Sequence, residues 1–346
     1  MVGTMALLRA LLGTARVREK TSRPVAGPPA DDEVLLDAPD DRLGPALLAA
    51  AHGEYRPAAE LLAATRAGAE WEHRDRYTAR LAAFARSRAE WLARWRAAAP
   101  EDPDVLLVRA RLAVDRCWDS PARAELLRQA DPLLAAATEA GGDDPVPWRI
   151  ALDSARGSGA GHTAFERLWA QAVRRSPHHY GCHVTALKYL AAASPGAHRE
   201  CLDFAETAAQ DAPSGSLVRA LPARAAFLCL ADGAATGAQR ARLDAAADRA
   251  IALSAAHPAA DPWPAEVRNL LTYVLVRLRR WEDALEQLRL TGPYATSFPW
   301  DRDGDDPLGR FLQVREEVRA AVCAGPPPAS GHPRCGRGRH ARTGDH

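Results

Sequence analysis

The sequence has few of the features that disclose a membrane segment, a redox centre or a chemical activity. No run approaches the roughly 18 uninterrupted apolar residues that a bilayer-spanning helix needs. Its six cysteines are widely spaced and form no C-x-x-C motif, which indicates reduced thiols. Arg9 interrupts the apolar N-terminus and no A-x-A cleavage site follows, so we expect no signal peptide and a cytoplasmic location.

Lysine is almost absent. Of the 45 basic residues only Lys20 and Lys188 are lysine, a bias that we interpret, together with abundant alanine, as that of a high-GC bacterial genome. The net charge is +1, and both signs are mixed along the same segments. This balance argues against the broad basic surface with which proteins attract nucleic acid or anionic membranes.

Alternating runs of β-branched and polar residues are also missing, so the sequence predicts no strand. From about residue 41 onward, apolar residues recur at spacings of three and four, as in Tyr77, Leu81 and Phe84. Alanine, leucine, arginine and glutamate, which favour helices, dominate each segment. The pattern predicts an all-α fold.

Proline-bearing turns separate the predicted helices at intervals that suggest a repeat. Prolines 100, 145, 177, 213 and 258 are 45, 32, 36 and 45 residues apart, room for two helices and two turns each. Asp-Pro pairs at Asp102, Asp144 and Asp306 predict an N-cap followed by proline in the first helical turn.

Residues 47–62 and residues 273–288 can be aligned as the same helical hairpin. The equivalent pairs are Leu48 with Val274, Tyr55 with Trp281, Ala58 with Ala284 and Leu62 with Leu288. An aromatic residue fills the groove between two helices, and an alanine three residues later lets the backbones approach.

The pattern Gly53-x-Tyr55-x-x-Ala58-x-x-x-Leu62 resembles the centre of a tetratricopeptide repeat. Leu278-x-x-Trp281-x-x-Ala284-x-x-x-Leu288 resembles it too, with Arg279 in the place of the usual glycine. The resemblance implies a tetratricopeptide-like α-solenoid of antiparallel helix pairs, which presents an extended concave surface.

A second resemblance covers residues 43–322. The motifs that carry it, in order, are Trp91–Trp95, Pro145–Trp148, Phe204–Ala205, Ala212–Ser216, Gly292–Pro293 and Pro299–Trp300. Their order is similar to that of a bacterial family of unknown function. The resemblance implies helical, tetratricopeptide-like domains and no particular chemistry.

Three regions follow from these patterns. Residues 1–40 are predicted to be an N-terminal helix and a proline-rich linker, partly disordered, and residues 41–322 a helical-repeat domain. Residues 323–346 form an arginine- and glycine-rich tail that we expect to be disordered. A polyanion such as nucleic acid could contact that tail, although a solvated terminus without a role is the simpler interpretation.

Two clusters deserve comparison with metal sites. His178, His179, Cys182 and His183 include a zinc-like spacing, but a third ligand is lacking, and a helix start after Pro177 also explains them. Asp301, Asp303 and Asp305 alternate as in a calcium loop, but without its glycine and final carboxylate. We expect the acidic cluster to cap a helix that begins at Pro307, and we assign no metal, cofactor or catalytic residue.

We therefore expect a non-catalytic scaffold that binds a protein or peptide partner in its concave groove. The candidate partner-binding residues are Trp118, Trp148, His183 and Trp300. The three tryptophans lie at turns or helix starts, where aromatic residues can anchor a partner. Two alternatives stay open: an enzyme with a polar site in the groove, metal-assisted through residues 178–183, and a structural or regulatory module that acts as an oligomer.

Overall fold

Helices make up 76% of the residues described by a computed structural model, which are residues 29–193, 197–233 and 237–324. The predicted all-α class is confirmed. The helices are α1 Leu43–Ala51, α2 Arg56–Ala67, α3 Trp71–Ser87, α4 Glu90–Ala98, α5 Pro103–Cys117, α6 Arg123–Gln129, α7 Asp131–Ala140, α8 Val146–Ser158, α9 His162–Arg175, α10 Tyr180–Ala193, α11 His198–Asp211, α12 Leu221–Ala231, α13 Gly237–Ala255, α14 Ala265–Arg277, α15 Trp281–Thr291, α16 Ser297–Trp300 and α17 Pro307–Ala324. Short 3-10 helices cover Asp31–Glu33, Leu217–Ala220 and Asp301–Asp303. The predicted N-terminal helix and the tail beyond residue 324 lie outside the described residues.

Two short strands join the beginning of the described chain to its end. Strand β1, Leu35–Leu36, pairs in parallel with strand β2, Tyr294–Ala295, and Leu35 is opposite Tyr294. The prediction that the sequence contains no strand is therefore wrong at these positions. With two residues per strand, neither segment is long enough to show the alternation on which the prediction relied.

The helices divide into an inner and an outer set. The inner helices, each in contact with the next, are α3, α5, α8, α10, α12 and α14. Their side chains are buried over most of the helix circumference, as the long buried runs in α12 and α14 show. The remaining helices cover them from outside. Val34, which precedes β1, belongs to the same apolar cluster as α12, α14 and α17.

A fully buried guanidinium connects three parts of the first half of the fold. Arg74 in α3 donates to Asp144 Oδ2 at 2.5 Å, to Asp104 Oδ1 at 2.6 Å and to the Leu62 carbonyl at 2.7 Å. Because an unpaired buried charge costs several kcal/mol, these bonds fix the positions of α3, α5 and α8 relative to one another.

The Asp-Pro turns perform the capping that the sequence predicts. Asp102 accepts from the Asp104 amide at 2.8 Å, and α5 begins at Pro103. Asp144 accepts from the Val146 amide at 2.8 Å, so α8 begins one residue after Pro145. Asp306 accepts from the Gly309 amide at 2.9 Å at the start of α17. The interpretation of the acidic cluster as a cap is confirmed at Asp306.

The two aligned hairpins are α1–α2 and α14–α15, and their turns share a backbone conformation. Gly53 has φ +81° and Arg279, its equivalent, has φ +57°. Ala58, Ala284, Leu62 and Leu288 are all buried. Leu48 is the exception: it is 52% exposed, whereas its equivalent Val274 is fully buried.

No helix in the described part of the chain combines the length and apolar character required to cross a bilayer.

The shared turn conformation predicts opposite effects of substitution in the two hairpins. A side chain in the left-handed region costs roughly 1–2 kcal/mol, and Arg279 is exposed. We expect Arg279→Gly to raise the free energy of unfolding by up to about 1 kcal/mol. Gly53→Ala should lower it by about 1–2 kcal/mol. Urea denaturation of both variants measures this, and equal effects in one direction would contradict it.

Candidate functional site

A charged cavity of about 490 Å³ lies among the inner helices. Its walls come from α3, α8, α10, α12 and α14, together with residues 37–40 and 294–298. The acidic residues that line it are Asp37, Asp40, Glu72, Asp75, Glu266 and Asp301, and the basic ones are Arg76, Arg80, Arg149, Lys188 and Arg224. The wall thus presents six potential negative charges and five positive ones, most of them in contact with each other.

One side of the cavity is closed by contacts between the two ends of the described chain. The Leu35 amide donates to the Pro293 carbonyl and the Asp37 amide to the Ala295 carbonyl, both at 2.8 Å. The Asp37 carboxylate accepts from Arg80 at 2.7 Å and from the amide and hydroxyl of Ser297. Burial raises the pKa of Asp37, but Arg80 and Ser297 outweigh it, so the pKa lies below its ordinary value and the carboxylate stays ionised.

Trp263 completes this closure from the loop before α14. Arg76 of α3 donates to the carbonyls of Pro262 at 3.2 Å and Trp263 at 2.6 Å, and its guanidinium lies 4.4 Å from the centre of the Trp263 ring. His73 stacks on the same indole at 4.1 Å. Burial and the charge of Arg76 lower the pKa of His73, so the stacked imidazole is neutral at pH 7.

An ion pair between α12 and α14 forms another part of the wall. Arg224 of α12 donates to Glu266 of α14 at 2.6 Å and lies over the Phe298 ring at 3.8 Å. Burial raises the pKa of Glu266, but the charges of Arg224, Arg76 and Lys188 bring it below its ordinary value. Glu266 is therefore a fixed negative charge at the cavity surface.

A third group of charges joins α3 to α10. Glu72 accepts from the Tyr180 amide at 2.6 Å, at the first residue of α10. Asp75 lies 3.4 Å from Arg149, and His179 Nε2 lies 3.9 Å from a carboxylate oxygen of each acid. Burial lowers the pKa of His179, but Glu72, Cys182 and Asp75 together raise it above its ordinary value.

Gly181 makes this approach of α3 and α10 possible. A Cβ at Gly181 would lie 2.3 Å from Asp75 Oδ2 and 3.0 Å from His179 Cε1. Both contacts are shorter than van der Waals distance, and Asp75 cannot retreat without leaving Arg149. The missing side chain therefore allows the Asp75–Arg149 pair to sit against the first turn of α10.

Lys188 of α10 is the one lysine among the described residues, and it lines the cavity. No described carboxylate lies within ion-pair distance of its amine. Burial, together with the charges of Arg224, Arg156 and Arg149, lowers the pKa of Lys188 to about 8, with Asp153 acting in the opposite direction. At neutral pH the amine is thus a cation without a paired counter-charge.

The candidate tryptophans of the sequence analysis lie elsewhere. Trp118 is half-buried, packs against Gly157 and carries the Arg156 guanidinium 4.4 Å above its ring. Trp148 lies under Arg175, with a distance of 4.6 Å to the ring centre. Trp300 is buried in the core, where its Nε1 donates to Asn269 Oδ1 at 2.8 Å. None of the three lines the cavity, and partner binding through them stays a prediction.

The histidine cluster is split between two environments. His183 is buried, its Nδ1 donates to the His179 carbonyl at 3.0 Å, and its ring packs edge-on against Trp169 at 5.0 Å. His179 instead faces Glu72 and Asp75. Within the described ranges, no group of three or more His, Cys, Asp or Glu side chains could hold a metal ion.

The sequence analysis did not identify the residues that line the cavity, although the sequence contains one indication of them. Charged residues interrupt two strongly apolar helices, Arg224 in α12 and Glu266 with Arg268 in α14. Ionic residues at such positions are rare unless they are paired. Which residue pairs with which depends on the meeting of distant helices, and spacing along the chain does not reveal it.

No protein-family model, no curated protein and no solved structure matches this chain. The resemblance to tetratricopeptide proteins and to a bacterial family therefore stays an expectation from the sequence.

The close approach at Gly181 predicts a large effect from a single methyl group. We expect Gly181→Ala to lower the free energy of unfolding by about 1–3 kcal/mol, since overpacking displaces a paired carboxylate. Gly44→Ala adds the same group to helix α1, where a Cβ would meet nothing within 4 Å. This control should be neutral or stabilising by up to about 1 kcal/mol. Thermal or urea unfolding compares the two, and equal stability would refute the packing argument.

Proposed function

We propose that this protein is a non-catalytic binding protein that holds a short, charged segment of a peptide or protein partner in the cavity among its inner helices. The observation on which this rests is the fixed array of paired charges in the cavity wall. The same proposal takes the fold to be a tetratricopeptide-like array of antiparallel helix pairs. Contacts between successive helices such as α1 with α2, α8 with α9 and α14 with α15 support that arrangement.

The chemistry of the wall suits a ligand that carries both donors and acceptors. Asp37, Glu266 and Arg80 are held in place by other protein groups, so they need no reorganisation when a ligand arrives. Ionised groups form stronger hydrogen bonds than neutral ones. An extended peptide offers amides, carbonyls and charged ends that can pair with carboxylates and guanidiniums alike.

The size of the cavity limits what can enter. Sites for small ligands commonly enclose about 300–1,000 Å³, and this cavity encloses about 490 Å³. A folded domain does not fit such a space, whereas a few residues of an extended segment do. The ligand is therefore expected to be a chain end or an exposed loop and not a folded surface.

The cysteine beside the cavity, Cys182 of α10, does not favour covalent catalysis. Cys182 lies 3.2 Å from His179 Nδ1 but is fully buried. Burial raises the pKa of its thiol, and the charge of His179 does not reverse this. A reactive cysteine needs an accessible thiolate, so this pair fits a structural role better than an enzymatic one.

A matched pair of variants tests whether ligands enter the cavity. Ala79 of α3 lines it, and Ala93 of α4 is exposed and does not. Random octapeptides with free carboxyl ends, and a second set with free amino ends, are selected on the wild-type protein. We expect Ala79→Phe to lower the affinity for the selected peptides at least about tenfold, because the phenyl ring occupies space that the ligand needs. Ala93→Phe should leave the affinity unchanged.

Thermal unfolding of both variants controls for misfolding. Selection of no peptide above background, or equal binding by the two variants, would show that the cavity is not a peptide site.

A further inference from the structure

Lys188 differs from the other cations of the cavity wall because no residue that the structure describes pairs with it. Arg80 is paired with Asp37, Arg224 with Glu266, and Arg149 with Asp75 and Asp153. Arg76 donates to two backbone carbonyls. Among the described side chains, none places a carboxylate oxygen within 4 Å of the Lys188 amine. Of the five cations that line the cavity, Lys188 is thus the one that no described protein group pairs.

The charged groups around Lys188 explain why no counter-charge is available. Those that act on it are Arg149, Asp153 and Arg156 on α8, Arg224 on α12, Glu266 on α14, and Asp301 after α16. Asp153 already accepts from Thr185 and faces Arg111 and Arg149, and Glu266 is bound to Arg224. On α3, Glu72 is held by the Tyr180 amide and Asp75 by Arg149. Asp301 is exposed and more distant than an ion pair.

We propose that Lys188 is the anchor for a carboxylate of the ligand, with Arg224 beside it, so that the segment bound in the cavity is recognised by a free carboxyl group. This inference rests on the proposed function and names the chemistry that its site selects. A carboxylate supplies the missing negative charge, and an amine with three donors can hold it at one point. Two sources offer that group: the carboxyl end of a chain and an aspartate or glutamate side chain.

The electrostatics give the proposal a measurable signature. In the empty protein the pKa of Lys188 is about 8, because burial and neighbouring cations disfavour the charged amine. A bound carboxylate favours the charged form, so the pKa rises on binding. From about pH 8 up to the raised pKa of the complex, binding is therefore expected to take up a proton. An uncharged amide analogue should cause no such change.

The scarcity of lysine makes this directly observable by nuclear magnetic resonance. A protein labelled with ¹³C at lysine Cε gives signals from two side chains only, Lys20 and Lys188, and the Lys188→Arg variant assigns them. The full chain is titrated with pH alone and then with Nα-acetylglycine, a mimic of a chain end. Two further compounds serve as comparisons. Nα-acetylglycinamide lacks the carboxylate, and Nα-acetyl-aspartic acid amide carries its carboxylate on a side chain.

We expect the Lys188 signal to titrate near pH 8 in the free protein and about one or more pH units higher with Nα-acetylglycine, but not with the amide. The aspartyl compound shows whether a side-chain carboxylate serves as well. Lys188→Met should lower the affinity for Nα-acetylglycine by about tenfold or more. Lys188→Arg should still bind it, but without proton uptake. Thermal unfolding checks that both variants fold.

A Lys188 signal that titrates like free lysine, or that responds equally to acid and amide, would overturn the proposal. The outcome is separate from that of the peptide selection. If peptides bind the cavity and the Lys188 pKa does not move, the carboxylate anchor fails alone. If Nα-acetylglycine moves the pKa and no octapeptide is selected, the anchor stands and the peptide function fails.

Discussion

The fold depends on the pairing of the charged side chains that α3 carries into the interior. Arg74 binds Asp104 and Asp144, Asp75 faces Arg149, and Arg80 binds Asp37. The partners come from residue 37, from α5, and from α8 with its N-terminal cap. Because leaving a buried charge unpaired costs several kcal/mol, arrangements of these segments that separate the pairs are disfavoured. Apolar packing supplies most of the stability, and these pairs select the register.

The same pairs bring distant segments of the chain together around the cavity. An array whose ends stay apart presents a groove, whereas here residues 34–37 reach β2 and α16, and Trp263 reaches α3. The charged side chains that form these contacts, Asp37, Arg80 and Arg76, also line the cavity. The same charged residues therefore stabilise the fold and line the cavity. Lys188 differs from them, because it lines the cavity but forms no ion pair with the described residues.

Local features were predictable from the sequence, and long-range ones were not. The caps at Asp102, Asp144 and Asp306 and the turn shared by Gly53 and Arg279 depend on neighbours a few residues away. The cavity depends on which helices contact each other in the folded chain. The pairing of Arg80 with Asp37, for example, cannot be deduced from the spacing of apolar residues. The sequence places Trp300 at a turn, and the structure buries its side chain in the core.

The parallel direction of β1 and β2 has a consequence for how the molecule assembles. A parallel pair cannot be joined by a tight turn and needs a crossover, and here the crossover is nearly the entire helical body between Leu36 and Tyr294. Contacts so distant along the chain lose much entropy on closing and gain nothing until the intervening helices have stacked. We therefore expect the pocket to be completed late in folding, after local hairpins such as α1–α2 have formed.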